Sequence, residues 1–140
     1  MAYVQRKISF VGTPDTNPET KPYFDGCAAG KFLLRRCTAC KKAHWYPRSL
    51  CPFCFGDCEW VEASGKGTIY TFSVMTRAET PYAIVYVTLE EGPSMMTNLV
   101  DCDFGALKIG QSVKVKFVPS EDGPPVPMFA PTRGGERMEV

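Results

Sequence analysis

Histidine is the scarcest resource in this chain. His44 is the only one among 140 residues, so a nucleophile paired with a histidine base can be drawn only around that position. No G-x-S-x-G elbow is present, and no glycine loop is followed by the Lys-Ser or Lys-Thr that would cradle a phosphate; the hydrolase and P-loop signatures are therefore missing. No apolar run approaches the ~20 residues that cross a bilayer, so no membrane-spanning helix is expected. An excess of one charge is missing too. The 16 lysines and arginines stand against 15 aspartates and glutamates, a formal charge of +1, whereas a protein that coats nucleic acid must neutralise many phosphates. Met1 is followed by no charged-then-apolar leader, and the expectation is a reducing, cytoplasmic setting in which thiols stay unpaired. The close carboxylates, Glu90-Glu91 and Asp101 with Asp103, fall where strands are expected to end. Acids at turns are solvated, and an acid–base pair needs a cleft. On these grounds alone the chain reads as a binding or scaffolding module.

What the chain does have is cysteine, 7 of them. Four fall into two C-x-x-C pairs, Cys37-Thr38-Ala39-Cys40 and Cys51-Pro52-Phe53-Cys54, separated by the spacer Lys41 to Leu50. Each pair can fold into a tight knuckle with both sulfurs aimed at one ion, and two knuckles face to face supply the tetrahedron that Zn²⁺ prefers. The spacer can run out and return as a short hairpin, which makes a zinc ribbon. Iron in a rubredoxin-like site uses the same four thiolates. A disulfide framework would need an oxidising compartment, and a thioredoxin-like redox site uses one C-x-x-C near a βαβ pattern that is not seen here. With sulfur in all four positions no place is left for water, so the ion is expected to hold structure and not to react. His44, inside the spacer, is expected to be a surface loop residue. Cys27, Cys58 and Cys102 are expected to be small buried hydrophobes, although Cys58 follows the second knuckle closely enough to compete as a ligand.

Taken in order, residues 1–30 read as an arm and a short helix, 31–62 as the ribbon, 63–131 as a barrel and 132–140 as a polar tail. The arm contains Ile8-Ser9-Phe10-Val11, a strand or an arm lying on a partner, and is followed by a linker rich in Pro, Asn, Asp and Thr. Thr20 can cap a helix, Pro22 fits its first turn and Gly30 can close it. Tyr23, Phe24, Cys27 and Ala28 then share one apolar face. Phe32 to Arg36 reads as a strand, with Trp45 to Arg48 as its counterpart. Trp45, Tyr46 and Phe53 have too little ribbon core to bury in and must pack on a neighbour. From Gly65 the pattern becomes a series of β segments. Thr68 to Val74 sets Tyr70, Phe72 and Val74 on one face, and Tyr82 to Leu89 is apolar on both. Met95 to Val100 follows, then a corner at Leu107 to Gly110, the half-buried strand Val113 to Phe117, and a closing strand at Pro127 to Ala130. The expected class is thus mainly β, with a short N-terminal helix and a rubredoxin-like zinc ribbon followed by a five-stranded OB-fold barrel.

Lys31, Arg35, Arg36, Lys41, Lys42 and Arg48 fall between Asp25 and Asp57 with no acid among them. Such a cluster could hold phosphates of a nucleic acid or of a nucleotide-bearing cofactor, or it could simply balance the formal −2 charge of a metal held by four thiolates. An alternative for the barrel is strand binding, with Tyr70, Phe72, Tyr82 and Tyr86 stacking bases beside Lys114 and Lys116.

The helix around Pro22-Tyr23-Phe24, the Cys37/Cys40/Cys51/Cys54 ribbon with Pro47-Arg48 in its spacer, Glu59-Trp60, Gly65 to Phe72, Thr97 to Val100 and Leu107 to Gly110 together resemble the zinc-ribbon plus OB-fold acyl-CoA-associated proteins. The resemblance covers about residues 18 to 131. Members of that family accompany thiolase-like enzymes, aldolases acting on steroid-CoA side chains, and hydroxymethylglutaryl-CoA synthase assemblies. It implies an accessory, zinc-containing subunit whose thiolase-like partner carries catalysis while this chain assists assembly and acyl-CoA binding. Arg35, Arg36 and Arg48 would then meet the phosphates of a CoA thioester, and Tyr70 and Phe72 would wall its acyl group. One departure stands out: Phe55 follows Cys54 where ribbons usually place Gly, with Gly56 one later.

Overall fold

The computed structural model describes residues 3–9 and 17–132. Phe10 and Val11 of the apolar run, most of the linker before Asn17, and the tail from Arg133 lie outside the described residues. Helix α1 spans Lys21–Ala28 and begins with Pro22 in its first turn; Thr20 occupies the cap position without a side-chain cap bond. Gly30, at φ 77°, adopts the left-handed conformation that ends helices at little cost to glycine. This lets the Lys31 N–H return to Gly26 O at 2.8 Å. Tyr23 and Cys27 are buried as the helical spacing predicts, but Ala28 is exposed and Gly26 takes its place against Leu33.

The ribbon is a small antiparallel sheet of order β2-β1-β3, formed by β1 (Leu33–Cys37), β2 (Ala43–His44) and β3 (Cys58–Glu62). The expected counterpart strand over Trp45 to Arg48 does not form. β1 pairs instead with β2 at Arg35↔His44 and with β3 from Leu33↔Glu62 to Cys37↔Cys58. Trp45 and Tyr46 leave the sheet because their rings pack on α1. The Trp45 Nε1–H donates to Tyr23 Oη at 3.4 Å, and the Tyr46 ring meets the Tyr23 ring edge-on at 5.9 Å.

Strands β4 (Lys66–Met75), β5 (Tyr82–Leu89), β6 (Ser94–Leu99), β7 (Ser112–Val118) and β8 (Val126–Pro131) close into a barrel of order β4-β5-β6-β8-β7, the OB-fold arrangement. The β6–β8 seam is parallel and short, with Leu99 opposite Phe129. Two details depart from the sequence pattern. β4 carries a bulge between Ile69 and Thr71, so Ile69 points inward and Tyr70, the extra residue, points out at 66% exposure, away from half-buried Phe72 and Val74. β5 is not buried on both faces; Ala83, Val85, Val87 and Leu89 are buried in alternation, while Tyr82, Ile84 and Thr88 are half-buried and Tyr86 is exposed.

One core joins these parts. Tyr23, Cys27, Phe32 and Leu34 from the helix and ribbon pack with Ile69, Val85, Leu99, Val113 and Phe129 of the barrel. The arm lies on its own chain: Ile8 is buried with Val100, Val118 and Met128, and Arg6 donates to Asn98 Oδ1 at 2.8 Å while stacking over Tyr82. Tyr3 borders one hollow beside Cys102 and Asp103, and Thr132 borders another on the same loop. At the start of β4, a Cβ on Gly67 would fall 2.6 Å from Val87 Cγ1 and 2.8 Å from the Thr88 carbonyl. Backbone cannot yield cheaply there, so Gly67→Ala should lower the denaturant midpoint by an amount equivalent to about 1–3 kcal/mol, the usual cost of overpacking.

A four-cysteine metal centre beneath a basic surface

Strand β1 runs into the first knuckle at Cys37. The Lys41 N–H donates to Cys37 O at 3.1 Å, and the Cys37 N–H donates to Lys42 O at 3.0 Å. The second knuckle repeats the pattern, with Phe55 N–H on Cys51 O at 2.8 Å and Cys51 N–H on Gly56 O at 2.9 Å. Lys41 and Phe55 hold equivalent places, both left-handed at φ 68° and 62°. Thus the glycine expected straight after Cys54 is not needed for the turn itself. Gly56 is needed for space, because a Cβ there would sit 3.1 Å from Cys37 Sγ and 3.3 Å from Cys54 Sγ.

Amides inside the turns face sulfur. Ala39 and Cys40 N–H groups lie 3.3 Å from Cys37 Sγ, and Phe53 N–H lies 3.4 Å from Cys51 Sγ. Such bonds favour the thiolate, and with the Cys40 amide contributing most, the Cys37 thiol is lowered to about 6. All four Sγ atoms lie within 4.8 Å of one another, with Cys37 and Cys54 at 3.5 Å and Cys40 and Cys51 at 3.7 Å. The edge of a zinc–thiolate tetrahedron is about 3.8 Å, whereas a disulfide requires ~2.05 Å. The four cysteines are positioned to bind a metal ion. Cys58 stands outside this group, its Sγ 3.8 Å from Gly56 O. Cys27 is fully buried, and that burial pushes its thiol up to about 12. Cys58 and Cys102 are only half-buried, unlike the expectation.

His44 corrects the sequence reading: it is 4% exposed and not a surface residue. The strand β2 turns it inward, where Nε2 accepts from the Arg48 N–H at 3.2 Å and Nδ1 is buried without a partner among the described residues. Burial, followed by the Arg35 charge, lowers its pKa from 6.5. A base with a lowered folded-state pKa keeps its full contribution above 6.5 and loses it as the pH falls through the lowered value. Stability should therefore fall on acidification from pH 6.5 downward, and His44→Gln, which keeps an acceptor for Arg48, should flatten that part of a melting-temperature profile.

The basic cluster divides. Arg35 is committed to structure: Nε and Nη2 each donate at 3.2 Å, to Arg48 O and Ser49 O, and the guanidinium lies over Trp60. Arg36 braces the first knuckle through Lys41 O at 3.3 Å. Arg48, Lys41 and Lys42 are exposed and form no ion pair among the described residues. The site reading missed Glu19, whose Oε2 accepts the Ser49 N–H at 2.7 Å and pins the spacer to the start of α1. The strand-binding surface is only partly present: Tyr70, Tyr86 and Lys114 are exposed, but the other members are engaged. Lys116 pairs with Asp101, Arg6 covers Tyr82, and Phe72 packs against the core. Around the metal cysteines Leu50, Phe53 and Phe55 stay exposed, an apolar tip readable in sequence only as hydrophobes in a loop.

Residues 24–61 match the family described as ChsH2, rubredoxin-like zinc ribbon domain, and residues 60–118 match ChsH2, C-terminal OB-fold domain. A "Probable enoyl-CoA hydratase alpha subunit" of Thermomonospora curvata is 30% identical over 125 residues, covering 84% of this chain and 39% of that protein. This chain therefore spans about two fifths of that relative's length. A "DUF35 domain-containing scaffold protein" of Methanothermobacter thermautotrophicus is 33% identical over 90 residues, 59% of this chain and 68% of that protein. Among solved structures, a chain of the "Ltp2-ChsH2(DUF35) aldolase" aligns with a TM-score of 0.73 at 30% identity, covering 85% of this chain and 98% of that one. With both halves matched and the whole of a relative's chain spanned, this protein belongs to the ChsH2/DUF35 family of zinc-ribbon and OB-fold proteins.

Proposed function

We propose that this chain is the zinc-loaded accessory subunit of an acyl-CoA enzyme, and that a thiolase-like or aldolase-type partner carries the chemistry. The observation behind this reading is the fate of His44. The one histidine is folded into the ribbon with Nε2 already bonded, so the chain has no histidine base for thioester or carbon–carbon chemistry. The names of its relatives, an enoyl-CoA hydratase alpha subunit, a scaffold protein and a chain of an aldolase, support the same reading. Zinc would be held by Cys37, Cys40, Cys51 and Cys54, all four positions filled by sulfur, and would fix the ribbon without reacting. Thiols kept free for a metal suit a reducing compartment such as the cytoplasm.

Acyl-CoA would bind to the complex, with Arg48 the one of the three arginines whose guanidinium is not engaged with a backbone carbonyl among the described residues. Tyr70 remains a candidate for the acyl wall because its ring is outside; Phe72 belongs to the core side of β4 and would act only through packing. The test is purification of the tagged protein from its own cell without nuclease treatment, with co-purifying material identified by mass spectrometry and ultraviolet absorbance. A near-stoichiometric thiolase-like or aldolase-type protein is the expected result. Nucleic acid with no such protein would replace this reading by a strand-binding one. On the purified complex, Arg48→Glu should weaken acyl-CoA binding; unchanged affinity would remove Arg48 from the CoA site.

A further inference from the structure

The second knuckle is built in a way that its own folding does not call for. Phe55 stands at φ 62°, a conformation that strains any side chain and that glycine adopts freely. Its ring gains nothing in return within the chain, being 78% exposed. Phe53, two residues earlier, is 59% exposed, with the Lys42 ammonium 5.1 Å from its ring centre. Leu50, on the way into the same knuckle, is 50% exposed. The equivalent left-handed place in the first knuckle holds Lys41, a residue at home in water. The apolar character is therefore particular to the second knuckle and not a demand of the metal turn.

Cations gather around this tip. Lys41, Lys42 and Arg48 are exposed and not ion-paired among the described residues. No carboxylate occurs in the sequence from Lys31 to Gly56; the acids that approach come from elsewhere in the chain, Glu19 on the Ser49 N–H and Glu91 across the hollow it shares with Lys42 and Phe53. We infer that Phe53 and Phe55, flanked by Leu50, are the anchor by which the chain docks on its catalytic subunit, entering an apolar pocket rimmed by carboxylates. This rests on the accessory-subunit reading above and adds the surface and the chemistry of its counterpart. Aromatic side chains held at the centre of a contact dominate binding energy. Rings presented from a metal-clamped turn lose little freedom on docking. The surrounding cations select an acidic rim and speed encounter. A lipid surface is the other place for rings beside cations, but interfacial anchors spread an amphipathic face over the membrane plane, whereas here the rings project from a single turn.

Phe55→Gly makes the test clean, because it removes the ring and relieves the strained backbone together. The full chain is prepared as wild type, Phe55→Gly, Phe53→Ser with Phe55→Gly, and Lys41→Glu with Lys42→Glu. Metal content and melting temperature are checked, and affinity is then measured for the acyl-CoA enzyme subunit that co-purifies with the wild type. Expected are unchanged metal, an equal or higher melting temperature for Phe55→Gly, and a loss of affinity of about tenfold or more for both ring variants. The charge variant should bind mainly with slower association and a weaker salt dependence. Ring variants that bind within about twofold of wild type would overturn the anchor while leaving the accessory-subunit reading intact. If the wild type associates with no such enzyme, both fail. Ring-dependent binding to phosphatidylserine vesicles, with enzyme binding unaffected, would overturn the anchor in favour of a membrane.

Discussion

Stripping the metal with a strong chelator at neutral pH, or replacing Cys40 or Cys54 with Ser, should collapse far more than two turns of chain. In small ribbons the ion contributes about 10–16 kcal/mol of apparent folding energy, more than the ~5–15 kcal/mol that holds a typical domain together. Here the strand that carries Cys37 also carries Leu34, which is fully buried in the core shared with the barrel. Loss of the ion is therefore expected to abolish the ribbon and to destabilise the barrel with it. Thermal melting followed by near-ultraviolet circular dichroism, alongside metal content and proteolytic resistance, reads this directly. A variant lacking one cysteine that kept full metal and full resistance to protease would refute the four-ligand centre.

The second large effect is expected at Phe129. Its side chain is fully buried on β8, its carbonyl takes the Val100 N–H at 2.9 Å, and its ring meets Phe32 edge-on at 6.1 Å. It thus closes the short parallel seam of the barrel and touches the segment leading into the ribbon. Phe129→Ala should cost about 3–5 kcal/mol, the range for emptying a buried aromatic site. It should lower the stability of the metal-loaded protein as a whole, in one transition. Two separated transitions, with the ribbon unaffected, would mean that barrel and ribbon unfold independently despite their common core. Tyr70→Ala, at an exposed site, serves as the control and should stay within about 0.5 kcal/mol.

The four-cysteine cluster was legible in sequence because C-x-x-C pairs announce themselves by spacing, and the five barrel strands because alternation marks a half-buried sheet. What escaped was set by tertiary packing. The bulge at Tyr70 depends on how β4 meets β5, and a one-residue shift there sends the ring to the opposite face. His44 looked like a loop residue because nothing local says that β2 will pair at Arg35↔His44 and turn the imidazole inward. Trp45 and Tyr46 were correctly seen to need a neighbour, yet only the fold reveals that it is Tyr23 on α1. The arginines could be listed from sequence as cations. Their division into Arg35 and Arg36, tied to carbonyls, and Arg48, whose guanidinium meets no backbone carbonyl among the described residues, follows from where the spacer crosses β1.

The two hollows on either side of the Cys102 loop put Tyr3 and Thr132 close to one end of the barrel. The first and last described residues therefore approach the same loop, with the core between them in sequence. Units of that geometry can be appended to, or spliced into, longer chains without refolding. That suits a unit whose relative from Thermomonospora curvata carries the matching stretch as 39% of a longer protein. For fusion design it means that insertions at Tyr3 and at Thr132 would both meet the protein beside the Cys102 loop.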